Sequence, residues 1–189
     1  MQKHMSWPSI NQFRQVVKEV KSRTGFKGLD ENGTPIIDRF APMPTLTFEG
    51  SVKSHGTNAS VTCNSNKLHD FWAQSRERIL TIDNDNYGFA AYTLRNTAAF
   101  ESLLVAASNT FHKGTLSHYS IFGEWCGQGV QKGVGISEVP KMFIIFGIVA
   151  WDAYVDPNTG EQRRIYFTAD QIKRTVEYAK EIVGFRGLD

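Results

Sequence analysis

The chain is poor in cysteine: it has only two, Cys63 and Cys126, far apart and without Cys-x-x-Cys spacing. That argues against a zinc site and against a disulfide scaffold. A reduced, cytoplasmic setting is the simplest expectation. Charge of one sign is also scarce. The net charge is +2 at pH 7, too small to announce nucleic-acid binding, so any RNA contact needs a local basic patch. No apolar run approaches a membrane span, and the N-terminus has no apolar core of signal-peptide length. The longest apolar run, Phe143 to Trp151, has the length of a buried strand. What is present suits a folded protein. Hydrophobic residues make up 41% and charged residues 21%, so disorder is not the expectation. A length of 189 residues fits one domain, or one domain with a small appendage.

Periodicity divides the chain. Pro8 and Ser9 are read as opening a helix, with Ser9-Ile10-Asn11-Gln12 as a capping box and Ile10, Phe13, Val16, Val17 and Val20 at helical spacing. Thr24 to Pro44 is rich in Gly, Pro, Asn and Asp, which predicts loop with one short strand near Ile36 and Ile37. Strands are expected over Thr45–Lys53, Asn58–Cys63, Leu68–Ser75, Leu116–Glu124, Lys141–Tyr154 and Arg164–Phe167. Tyr87 to Ser108 predicts a helix, with Phe89, Tyr92, Thr93, Phe100, Leu103, Leu104 and Ala107 on one face. Asp156 to Gly160 reads as a hairpin turn. Thr168-Ala169-Asp170-Gln171 caps a last helix, with Ile172, Val176, Ala179 and Ile182 or Val183 inside. The pattern is antiparallel α+β, with no βαβ alternation. A short echo, Gly25–Asp30 against Gly184–Asp189, reads as coincidence between glycine turns.

The densest chemical signal is Glu49-Gly50-Ser51-Val52-Lys53-Ser54-His55-Gly56-Thr57-Asn58. A lysine drawn into a pocket, where it loses its proton, becomes a nucleophile. Gly56 lets the backbone turn and approach a ligand, and Thr57 and Asn58 add polar groups at the same mouth. Three further segments follow in order: Ser75-Arg76, then Ile121-Phe122-Gly123-Glu124-Trp125-Cys126-Gly127, then Phe143 to Val149.

In that order the four segments resemble motifs I, Ia, III and IIIa of the covalent nucleotidyltransferases, the ATP-dependent ligases and capping enzymes. His55 at the third motif-I position, with Thr57-Asn58 after the glycine, resembles the RNA ligase 2 type of phage and RNA-editing ligases; DNA ligases usually carry aspartate there. The resemblance covers about residues 7 to 150. It implies an antiparallel-sheet, ATP-grasp-like adenylation domain over residues 1–189 that works in RNA repair. It also implies ATP and Mg²⁺ as cofactors, and RNA ends or a nicked RNA duplex as partner.

Lys53 is then the catalytic nucleophile, attacking the α-phosphorus of ATP. The expected nucleotide-binding residues are Val52, His55, Gly56, Asn58, Arg76, Glu124 and Phe146. His55 suits phosphate contact or simply holds the loop. Asn58 suits phosphate or a hydrated metal ion, and equally a turn-stabilising role. Arg76 suits ribose or the incoming phosphate through its planar fork, with a surface arginine as the alternative. Arg78, two residues on, would share its face on a strand. Glu124 can accept from ribose hydroxyls or help hold metal; otherwise it is a strand-end carboxylate paired with a lysine. Phe146 can stack on adenine or belong to the core. Lys132, in the glycine-rich Gly127–Gly133 segment, is a candidate for phosphate or RNA contact but not for catalysis.

The family carries two more motifs after the fourth, a Glu-Gly-x-Val-like strand and a Lys-x-Lys-like strand. Neither appears after Phe146, and Gly147 replaces the aspartate of the fourth motif. The expectation is therefore a domain incomplete at its C-terminus. Such a chain is either helped by a complementing C-terminal segment or protein partner, or is a catalytically impaired nucleotide- or RNA-binding remnant.

Overall fold

Residues 2–9, 12–48, 53–111 and 114–183 are described by the computed structural model, with backbone alone for 181–183. The chain divides into two units, Pro8–Val52, and Met1–Trp7 with Lys53–Asp189.

In the smaller unit a helix, α1 (Phe13–Gly25), leads into a hairpin of β1 (Phe26–Leu29) and β2 (Pro35–Ile37). The helix starts later than its sequence suggests and runs further. Gln12 is its N-cap, without a side-chain hydrogen bond, so Ser9 does not cap it. Ile10 and Asn11 lie outside the described residues. The expected strand at Ile36 and Ile37 is there, but with a partner: the turn is closed by Asp30, whose Oδ1 accepts from the N–H groups of Asn32 and Thr34. Residues 45–48 and 53 are not strand, and 49–52 lie outside the described residues, so the strand expected over Thr45–Lys53 is absent where it can be seen.

The larger unit is built on a five-stranded antiparallel sheet: β3 (Thr57–Asn64), β4 (Lys67–Ser75), β5 (Leu116–Cys126), β6 (Met142–Val155) and β7 (Gln162–Tyr166), in the order β4-β3-β5-β6-β7. Alternation assigns its two faces. On one face Ala59, Val61 and Cys63 stand beside Ala73, Ile121, Tyr119, Ile148 and Ala150. Three helices cover this face: α2 (Phe89–Arg95), α3 (Thr97–Thr110) and α4 (Ala169–Val183). Phe89, Phe100, Leu103 and Leu104 are fully buried there, each contributing about 1.5–3 kcal/mol.

One continuous helix was expected over Tyr87–Ser108; it breaks at Asn96 (φ −112°, ψ 30°). The Asn96 N–H and Nδ2 both donate to the Tyr92 carbonyl, and its own carbonyl accepts from Ala99 and Phe100. One asparagine thus ends α2 and starts α3. The cap of α4 is the expected reciprocal box: Thr168 N–H donates to Gln171 Oε1 (2.8 Å), and Gln171 N–H donates to Thr168 Oγ1 (3.3 Å). Ile172, Val176 and Ala179 pack inward as read, while the side chains of Ile182 and Val183 lie outside the description.

The second face is polar in its middle and carries the N-terminal segment. Gln74 is the anchor. Its Oε1 accepts from Met5 N–H (3.0 Å), and its Nε2 donates to the Met5 carbonyl (2.9 Å) and lies within bonding distance of Ser60 Oγ and Thr62 Oγ1. Trp72 Nε1 donates to the Lys3 carbonyl (3.1 Å). Met5 then joins Phe122, Val149 and Trp151 in a second apolar cluster, flanked by Trp7. Among the described residues no helix is long and apolar enough to cross a membrane.

Candidate functional site

Antiparallel register brings the quoted motifs to one end of the large sheet. β3 begins there, β4 and β5 finish there, and β6 starts there. Lys53 precedes β3 at this end, Arg76 follows β4, Glu124 lies near the end of β5 and Phe146 near the start of β6.

The best-defined contact joins the first and third motifs. Glu124 Oε1 accepts a hydrogen bond from the Gly56 N–H at 2.9 Å. Asn58 faces Glu124 directly across the β3–β5 ladder, on the sheet face turned away from the helices. Gly56 is also held from the other side, where Gln131 Nε2 donates to its carbonyl (3.2 Å). Space explains the glycine. A Cβ at position 56 would collide with the Trp125 carbonyl and lie 2.7 Å from Cys126 Cβ. Thr57 Oγ1 accepts from Asn86 Nδ2 (3.3 Å), tying the turn to the loop before α2. That loop is braced in turn. Tyr87 sits in the left-handed region (φ 52°), and its carbonyl accepts from Trp125 Nε1 (3.2 Å) and Lys141 Nζ (2.7 Å).

Phe146 is placed by a bulge. Phe122 pairs with Gly147 and Gly123 pairs with Ile145, so Phe146 is the extra residue between them. A bulge re-aims its side chain and strengthens local twist. The ring is 42% exposed, so it is not core. It meets the Trp7 indole edge-on at 5.2 Å, and the same indole meets Phe122 at 5.2 Å and Tyr166 at 5.6 Å. Gly147 has a local cause: a Cβ there would lie 2.5 Å from the Trp7 ring.

Other expected residues are less organised. Lys53 and His55 are both exposed, in coil. The enclosed amine anticipated for Lys53 is not found. Among the described residues, no carboxylate lies within ion-pair distance of it. Val52 lies outside the described residues. Arg76 is exposed in the bend after β4. Arg78 does not share a strand face with it. Its carbonyl closes the bend by accepting from Ser75 N–H (2.8 Å), and its Nη2 donates to the Asp85 carbonyl (3.1 Å). Lys132 is exposed in the loop. Two surface cavities, of about 630 and 500 Å³, lie elsewhere, and neither is lined by Lys53 or Glu124.

Burial pushes the Cys126 thiol above its ordinary range, and the nearby Glu124 carboxylate adds to the shift. A protonated thiol is a poor nucleophile, so Cys126 is packing rather than chemistry here. Among the described residues, no cluster of three or more His, Cys, Asp or Glu could hold a metal ion by itself.

Gln131, Asn86 and Trp7 are the contributors that sequence reading missed. Gln131 sat unremarked in the glycine-rich segment, and Asn86 in the polar run from Asp83. Trp7 before a proline gave no periodic signal at all. A comparison with protein-family models gives no match, and a comparison with curated proteins gives none either.

Proposed function

We propose that this chain is an ATP-dependent RNA ligase adenylation domain with Lys53 as its nucleophile. The observation that carries the reading is the 2.9 Å bond from Gly56 N–H to Glu124, which couples the turn after Lys53 to the carboxylate of the third motif. Asn58 beside Glu124 and the half-exposed Phe146 on the same face support it.

In the first step the Lys53 Nζ lone pair attacks the α-phosphorus of ATP. The bond to the bridging oxygen breaks, pyrophosphate leaves, and the amine's proton passes to solvent. The phosphoramidate is then attacked by an RNA 5′-phosphate oxygen. Lys53 leaves and recovers a proton. A 3′-hydroxyl finally displaces AMP and seals the strand. A free lysine has a pKa of about 10.4, so the neutral amine must be favoured. Lys53 is exposed, so in this reading its desolvation comes from the nucleotide that covers it. Mg²⁺ would offset the triphosphate charge. One carboxylate with substrate phosphates and water is a normal donor set for it, and Glu124 fits that role with Asn58 beside it. Phe146 offers a ring face for adenine.

Exposure of Lys53 favours one second reading, a nucleotide- or RNA-binding module without covalent chemistry. The two part on a single-turnover assay with a nicked RNA duplex carrying a 5′-phosphate. The ligase reading expects AMP to move from ATP to the RNA end. ATP and RNA binding with no adenylated RNA would favour the second reading.

A further inference from the structure

The same sheet face continues past Trp7 into a groove of about 500 Å³. It lies between the N-terminal segment and the β6–β7 hairpin, and Lys3, His4, Trp151, Arg163, Arg164 and Tyr166 are among its walls. Three of these, Lys3, Arg163 and Arg164, are basic and His4 stands with them, in a chain whose net charge is only +2. Glu161 is the carboxylate lining it, and among the described residues no carboxylate lies within ion-pair distance of those four.

Arg164 is preorganised. Its guanidinium lies 5.4 Å from the centroid of Trp151, which its strand register sets opposite. Trp151 is 4% exposed and fixed by its Nε1 donating to Ser120 Oγ (2.9 Å). A stacked guanidinium keeps its N–H edge available for bidentate bonds to phosphate. Lys3 Nζ is held near the rim by Gln162 Oε1 (3.3 Å). Tyr166, 45% exposed, meets Trp7 edge-on, and Trp7 meets Phe146. A line of aromatic rings therefore runs from the basic groove to the Glu124 end of the sheet. Cations beside exposed rings suit a single polynucleotide strand, whose phosphates need charge and whose bases need flat faces.

We propose that the groove between the N-terminal segment and the β6–β7 hairpin binds the sugar–phosphate backbone of an RNA strand, leading it along the Tyr166–Trp7–Phe146 line toward Glu124. The proposal rests on the ligase reading for its direction.

The test titrates the full chain with a fluorescent single-stranded oligoribonucleotide over a range of salt. Lys3→Ala with Arg164→Ala weakens binding about tenfold and lowers the slope of log K against log salt by about 1.4, the share of two phosphate contacts. Arg164→Lys recovers part of the loss, and Glu161→Gln tightens binding. Lys173→Ala with Arg174→Ala, on the exposed side of α4, changes it less than about twofold. Adenylylation of Lys53 is read without RNA on the same variants and stays at the wild-type level. Loss of that label in every protein, wild type included, would sink the ligase reading and leave the groove's RNA affinity intact. Unchanged affinity and slope in the double variant would overturn the groove. So would displacement of the RNA by inorganic phosphate at matched ionic strength, or binding of the wild type to phosphatidylserine vesicles but not to RNA.

Discussion

Gly56 has no room for a side chain, because the Trp125 carbonyl stands where a Cβ would go. Gly56→Ala is expected to cost about 1–3 kcal/mol in urea unfolding, since backbone cannot give way as a side-chain tip can. Glu124 separates geometry from charge. Glu124→Gln keeps an acceptor for the Gly56 N–H and should leave the unfolding midpoint nearly unchanged, while Lys53 adenylylation falls about a hundredfold. The two thiols make a third case. Burial pushes Cys63 up to about 12 and also raises Cys126, so both remain protonated at neutral pH. Iodoacetamide at pH 7.5 should label neither in the native protein and both after denaturation. Rapid native labelling of Cys126 would show that the Glu124 end of the sheet opens.

At the scale of elements, the strands of the large sheet were the most legible. β3 to β6 each fall where a strand was expected, and each carries a continuous buried run rather than strict alternation, because both faces of the sheet are covered at its middle. The helical region before β5 was also clear, but not its break, because Asn96 acts through bonds to Tyr92 that spacing does not reveal. The first helix was misjudged at its start for the opposite reason: a capping-box pattern was present at Ser9 without a helix to cap. The box at Thr168 did form, so α4 offers a direct check. Thr168→Ala removes the side chain that accepts from Gln171 N–H. It should cost about 1 kcal/mol in urea unfolding, and Thr168→Ser should restore most of that loss.

For the whole molecule, the N-terminal segment is the feature that the sequence could not announce. Lys3 to Trp7 has no periodicity, yet through Gln74 it becomes part of the larger unit. Its field also reaches His118, whose pKa is held below the ordinary 6.5 chiefly by burial and secondly by the Lys3 charge. The unfolded chain therefore takes up this proton more readily. Stability should fall as pH drops through about 6.5 and level off below the folded-state value. His118→Gln should flatten that part of a melting-temperature profile. The candidate site was partly legible in the same way. Glu124 and Phe146 were singled out by the motif resemblance and lie on strands that were expected, Phe146 at a bulge that spacing does not reveal, whereas the setting of Lys53 depends on a coil.

Peptide mapping after incubation with α-labelled ATP and Mg²⁺ is the most direct test. The account predicts an acid-labile AMP phosphoramidate on Lys53, no label from γ-labelled ATP, and none in Lys53→Ala. Label on another residue, or undiminished label in Lys53→Ala, would contradict it.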